Sequence, residues 1–232
     1  VSEADSAPIA WPASTRRPGH VTLNKDTVCA QARPTAAVRR RYLEQVTRTR
    51  WTHSLRPDTA RLAATADVPL INVFELYLAG PDLHPGVLTF LDRGIPAPAF
   101  FELHHGGRVR TAAAYKRPSD AGGGGGRGAW VTGEHFFTAW VSADAPRAPL
   151  PVAVDLGVLY DRLLRRVLPL STRPDEPLRD HAERAGRAAV LKREAAKLAK
   201  RVAKEKQFNR RVELNRELAG VRERLNDLQR KD

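Results

Sequence analysis

The sequence predicts an α+β protein: a mixed or antiparallel sheet of about five strands with packing helices, followed by a long C-terminal helical, coiled-coil-like appendage. Three observations predict it. Short apolar and β-branched runs separated by Gly, Pro and Asp turns fill residues 50–141, helical apolar spacing lies on either side of them, and no proline interrupts the chain from Leu178 to Leu228. The expected organisation is an irregular N-terminal arm over 1–24, a globular domain over 25–170 with a Gly-rich loop at 117–128, and a basic helical appendage over 178–230.

In chain order, Pro8, Pro12 and Pro18 around an isolated Trp11 suggest an arm without regular structure. Ala36, Val38, Tyr42, Leu43 and Val46 recur at helical spacing after Thr35, a candidate cap, so a helix is expected over 35–49. Residues 50–55 suit a strand, closed by an Arg56-Pro57-Asp58 turn. The most apolar stretch, 68–78, reads as a buried strand, and Val87, Leu88 and Leu91 as one face of a short helix over 85–93 that Gly94 stops. Strands are expected over 99–104 and 109–116, joined by a turn at His105-Gly106-Gly107-Arg108, and a strand or strand pair over 130–141. Leu156, Leu159, Leu163, Leu164 and Val167 supply the core face of a helix near 154–168.

The appendage is rich in Ala, Leu, Glu, Lys, Arg and Gln. If continuous, it would be on the order of 75 Å long, far more than a core of this size can cover, so it must bend back, project or pair with a partner. Its apolar positions form two runs spaced four, three, four: Leu191, Ala195, Leu198, Val202, then Leu214, Leu218, Val221, Leu225, with Leu228 beyond. The runs are out of heptad phase with each other, which places a break near Phe208. The expected interaction seam is Leu191, Leu198, Val202, Phe208, Leu214, Leu218, Val221, Leu225 and Leu228; whether it closes within one chain or between two is open at this point.

Of a formal charge of +13, residues 181–232 contribute +8, from 16 basic and 8 acidic residues. Nine cations fall between Lys192 and Arg211: Lys192, Arg193, Lys197, Lys200, Arg201, Lys204, Lys206, Arg210 and Arg211, against Glu194 and Glu205. As one rod of roughly 30 Å they would span about a turn of duplex and neutralise several phosphates together. The alternative is a solvated coiled-coil flank. A single cysteine, Cys29, excludes an intrachain disulfide framework and a thiolate zinc site. No apolar run reaches the roughly 20 residues of a membrane span, and residues 1–18 lack the pattern of a secretory signal, so a cytoplasmic protein with no membrane association is expected.

Catalytic signals are sparse. Asp92, Glu102, His104, His105 and Lys116 contain what a metal-dependent nuclease needs, acids and a lysine on neighbouring strands, with Asp92, Glu102 and Lys116 as the expected core of such a site. The acid-x-lysine spacing is missing, and turn histidines and strand-edge charges explain the same residues. Gly122–Gly126 is not a phosphate loop, because no Gly-Lys-Ser/Thr follows. Cys29, Ser54, Ser142 and His53 have no nucleophile context. Trp51, Trp130, Phe136, Phe137 and Trp140 suit core packing better than a base-stacking platform. No cofactor and no metal ligand set is implied.

Several segments together resemble a bacterial and archaeal family, domain of unknown function 4391: 46–51 with 55–59, Val73-Phe74-Glu75-Leu76, 92–96 with 114–117, and, most specifically, Glu205-Lys206-Gln207-Phe208-Asn209-Arg210-Arg211-Val212-Glu213-Leu214-Asn215. The resemblance spans about residues 25–228; the glycine run departs from it as a loop insertion. It implies an accessory protein encoded beside helicases and DNA methyltransferases in restriction or anti-phage loci, and carries over no catalytic residues. The expected function is therefore a non-enzymatic subunit of such a system, its partners a helicase or ATPase, a DNA methyltransferase, DNA, and a second copy joined through the C-terminal helices. Competing expectations are a nuclease of that system and a pure coiled-coil scaffold.

Overall fold

In the computed structural model, which describes residues 6–119 and 129–230, the apolar run after Asp67 becomes the centre of a mixed sheet. Its order is β2 (Arg16–Thr22), β3 (Val46–Leu55), β4 (Ile71–Leu78), β5 (Ala99–His105), β6 (Arg108–Pro118) and β7 (Trp130–Phe137), with β8 (Val141–Ser142) also pairing with β6. A separate parallel pair joins β1 (Ile9–Ala10) to β9 (Ala148–Pro149). The main sheet thus has seven strands, not about five. The two extra ones are β8 and β2, and β2 comes from the segment expected to be an irregular arm. Residues 120–128, most of the expected Gly-rich loop, lie outside the described residues.

All neighbours in the main sheet are antiparallel except β4 and β5, which α4 (Pro85–Arg93) connects by a crossover. One face of the sheet carries α1 (Lys25–Ala32), α2 (Ala36–Gln45) and α4, burying Tyr42, Phe74, Leu76, Leu88, Leu91, Phe101 and Leu103 in one cluster. A single turn, α3 (Pro57–Ala60), follows β3. On the other face α5 (Leu156–Arg165) brings Tyr160 against Phe100 and Tyr115. Local chemistry sets the helix starts. Thr35 accepts the Val38 N–H, Asp155 the Val158 N–H, and His84 Nδ1 the Gly86 N–H with Pro85 opening α4.

A fully buried lysine ties the layers together. Lys116 on β6 and Asp92 on α4 are each 1 % exposed, and Lys116 Nζ lies 2.7 Å from Asp92 Oδ1. The same ammonium donates to the Asp92 and Ile95 carbonyls at the end of α4, so all three of its protons are matched. Asp92 Oδ2 meets His135 of β7 at 3.1 Å. The Lys116 backbone N–H donates to Tyr160 Oη, which donates in turn to the Ala114 carbonyl. Burial pushes the Lys116 ammonium below the usual lysine value and raises Tyr160 well above the usual phenol; Asp92 pulls Lys116 partly back.

The chain divides into two compact units, residues 1–168 and 169–232. In the second, α6 (Leu178–Lys204) and α7 (Phe208–Gln229) form an antiparallel hairpin, so the long appendage bends back on itself within one chain at residues 205–207. Leu198, Leu214, Leu218 and Val221 form its core, with Leu191, Ala195, Ala199 and Val202 packed against them. Of the expected seam, Leu191, Leu198, Val202, Leu214, Leu218 and Val221 lie in this core, Leu225 and Leu228 are half-buried outside it, and Phe208 is 68 % exposed at the start of α7. Arg184, 3 % exposed, locks the open end of the hairpin. It pairs with Glu176 at 2.7 Å and donates to the carbonyls of Ser171 and of Leu228 in the last turn of α7. Those hydrogen bonds hold the Glu176 carboxyl at about 2.

Two outcomes are expected. Removing the ammonium in Lys116→Met strands a buried carboxylate and should lower unfolding free energy by about 3–5 kcal/mol in urea melts, with Lys116→Met/Asp92→Leu recovering part of the loss. Because the folded-state value of Glu176 is depressed, its contribution is fully present above the ordinary carboxyl range near pH 4.5 and is lost as pH falls toward 2. Helicity followed by circular dichroism across that window should fall less steeply in Glu176→Gln, from a less stable starting point.

Candidate functional site

The parallel pairing of β4 with β5 puts Glu75 directly opposite Glu102, and Tyr77 opposite His104. Side chains alternate across a strand, and Phe101 and Leu103 lie in the core under α4, so Glu102 and His104 point to the opposite face. There Glu102, 2 % exposed, accepts Trp11 Nε1–H at 2.8 Å and a bidentate pair of Arg147 hydrogen bonds at 2.9 Å each. These bonds raise the Arg147 guanidinium above its usual value. Glu75 Oε2 accepts the Tyr77 hydroxyl at 3.0 Å and faces Arg50 at 3.6 Å. His104 stacks on Tyr77 with ring centroids 4.9 Å apart, and the Arg48 guanidinium lies 3.9 Å from the Tyr77 ring centre.

Two imidazole nitrogens in this neighbourhood, His104 Nε2 and His53 Nδ1, are buried without a hydrogen-bond partner. His104 Nε2 stops 3.9 Å short of Glu102 Oε2. One ligand atom each from Glu75, Glu102 and His104 lie within 4.8 Å of one another. Burial lowers both imidazoles, His53 to about 4, against an opposing pull from Glu102 and Glu75.

The expected triad of Asp92, Glu102 and Lys116 does not assemble. Asp92 and Lys116 meet, but on the α4 face, while Glu102 lies on the other side of the sheet. Lys116 has no proton or lone pair left for chemistry, since it closes the end of α4. His105 belongs to neither group; its Nδ1 lies 3.3 Å from the Leu78 carbonyl. Glu75 stands outside the expected set. Its only signal is the segment Val73-Phe74-Glu75-Leu76, a lone acid in an apolar strand, which is unusual at a half-buried position. Three of the five aromatic residues pack, Trp51 stacking on Phe74, Phe136 buried and Trp140 joining the α4-side core, whereas Phe137 is exposed with the Arg110 guanidinium 4.5 Å from its ring centre.

The second candidate is the outer face of α6. At about 100° per residue, Leu191, Ala195, Leu198 and Val202 define the inward stripe, and Lys192, Arg193, Lys197, Lys200, Arg201 and Lys204 fall in the half-circle opposite it. All six are exposed, and Lys192, Lys197, Lys200, Arg201 and Lys204 form no ion pair with any described residue. Glu194 lies at the edge of the arc and pairs across the hairpin with Arg224 at 3.9 Å. Lys206, Arg210 and Arg211 are exposed at the turn and in the first turn of α7, Arg210 beside Glu205 at 3.5 Å. Because the chain reverses at 205–207, the expected 30 Å rod does not exist. The continuous stretch Lys192–Lys204 is about 18 Å long, roughly half a turn of duplex.

A mixed sheet built around one crossover, joined to a helical hairpin with a cationic outer face, is the class of protein this chain represents. A family model described as Domain of unknown function (DUF4391) matches residues 9–225, nearly the whole length, and the chain belongs to that family. No curated protein and no solved structure matches it. Among the described residues, no helix is long and apolar enough to cross a membrane.

The buried histidine gives a direct check. His53 should titrate near pH 4 by NMR, well below the ordinary histidine value of 6.5. The folded state binds its proton later than the unfolded state, so this contribution to stability is complete above pH 6.5 and fades as pH falls toward 4. A midpoint near 6.5 would mean that the imidazole is hydrated.

Proposed function

We propose that the protein is a non-enzymatic, nucleic-acid-binding accessory subunit that grips the phosphate backbone of duplex DNA with the outer face of α6. The observation that supports this most directly is the half-circle of six cations with no acid among them on that arc of Lys192–Lys204. A helix evolved only to be soluble alternates signs, as α7 does with Arg216, Glu217, Arg222, Glu223 and Arg224. Cations left without ion pairs are available to phosphates, and their release of condensed counterions drives binding regardless of base sequence.

The hairpin also shapes this reading. Its apolar stripe is covered within the chain, which argues against self-association through that seam and leaves the helix free to act as a rigid mount for its charges. The setting, a defence locus with a helicase and a methyltransferase, follows from the family resemblance and says where protein partners are to be sought.

Fluorescence anisotropy with a short duplex tests the proposal. With about five phosphates contacted, log K should fall against log salt with a slope of about −4 to −5. Lys197→Glu/Lys200→Glu/Lys204→Glu, all exposed changes, should weaken binding by more than tenfold at constant helicity. Binding too weak to measure at low salt, or unaltered by the triple change, would favour a pure scaffold.

A further inference from the structure

The geometry points to a divalent transition-metal site on the sheet, formed by Glu75, Glu102 and His104, that takes an ion of the Mn²⁺ or Zn²⁺ kind. It lies in the first unit, independent of the α6 face and of the DNA-binding proposal.

Three observations carry it. First, two carboxylates and an imidazole are the donor set that suits such ions, and a ligand atom from each lies within 4.8 Å of the other two. Second, the donors have capacity left. Glu75 Oε1 accepts no hydrogen bond from any described residue, and Glu102 Oε2 accepts one, from Arg147, leaving it a second lone pair. Third, His104 Nε2 is buried yet makes no hydrogen bond with any described residue, and it stands 3.9 Å from the nearer Glu102 oxygen, beyond hydrogen-bond range. A nitrogen shielded from water and unpaired forfeits a hydrogen bond, and a bound ion is one of the few things that removes that penalty. His53, 9 % exposed and also with an unpartnered ring nitrogen, lies in the field of the same two carboxylates.

The rigidity of the donors differs in a useful way. Glu102 is immobilised by Trp11 and Arg147, whereas Glu75 and His104 are about one-fifth exposed and can turn. Around an ion with bonds near 2.1 Å, tetrahedral donors stand about 3.4 Å apart, so Glu75 and His104 must move inward by roughly 1 Å while Glu102 stays. The Tyr77 ring stacked on His104 limits that movement to a slide along the ring face. Arg50 and Arg147 each face one carboxylate of the cluster, and Arg48 lies over the Tyr77 ring.

The test uses the untagged full chain titrated with Mn²⁺ by electron paramagnetic resonance and with Zn²⁺ by calorimetry. One ion per chain should bind saturably, and Glu75→Gln and His104→Ala should each weaken it by at least tenfold with unchanged circular dichroism, while Glu44→Gln on the distant α2 should leave it unaltered. Substoichiometric Mn²⁺ should broaden the His104 ring protons ahead of those of His84, a readout that needs no variant. Absence of saturable binding up to millimolar metal overturns the site, as does undiminished binding in Glu75→Gln/His104→Ala or broadening confined to other histidines.

Discussion

The Lys116–Asp92 contact is the constraint on which the first unit depends. An ammonium in a water-free interior is tolerated only when every proton is matched, and here the three acceptors are two carbonyls and one carboxylate oxygen at the end of α4. That requirement fixes the angle at which the crossover returns to the sheet. Asp92 then reaches β7 through His135, and the Lys116 backbone reaches α5 through Tyr160, so one residue couples both faces and two strands. A hydrophobic pair of equal volume would fill the space but would not dictate where α4 stops.

The second unit solves a different problem. The 27 residues of α6 and 22 of α7 meet along one apolar stripe, and α6 also buries His181, Ala182, Ala185 and Ala188 in its first three turns. Arg184 supplies a polar latch at the open end, while the three-residue reversal closes the other. The division of labour along α6 follows from its periodicity: one side is consumed by packing, and the other, with no packing role, is free to concentrate charge of one sign.

Much of this was legible in the chain. Thr35 and Gly94 mark helix ends where they stand, and the phase slip between the two leucine runs locates the reversal before Phe208 within a residue or two. Strand β2 was not legible, because Pro18 and Gly19 interrupt its pattern; it forms as an edge strand whose register shift against β3, between Arg16 and Val21, absorbs them. The carboxylate cluster was equally hidden. Glu75 and Glu102 are 27 residues apart, and only the parallel register created by the crossover sets them side by side. Asp92 and Lys116 stood in the expected nuclease site together with Glu102; burial of the pair on the α4 face separates it from Glu102 and makes it structural.

The closure of the N-terminal segment has a consequence for biogenesis. Strand β1 pairs with β9, Trp11 donates to Glu102, and Arg147 donates both to the Ile9 carbonyl and to Glu102. On a translating ribosome Glu102 emerges 91 residues after Trp11 and Arg147 a further 45 residues on, a delay on the order of ten seconds at ordinary elongation rates. Until Arg147 emerges, Glu102 has Trp11 but not its guanidinium partner, and β1 lacks the strand it pairs with. Strand β1 and the cluster of Trp11, Glu102 and Arg147 therefore complete their contacts only after residues 147–149 have been made.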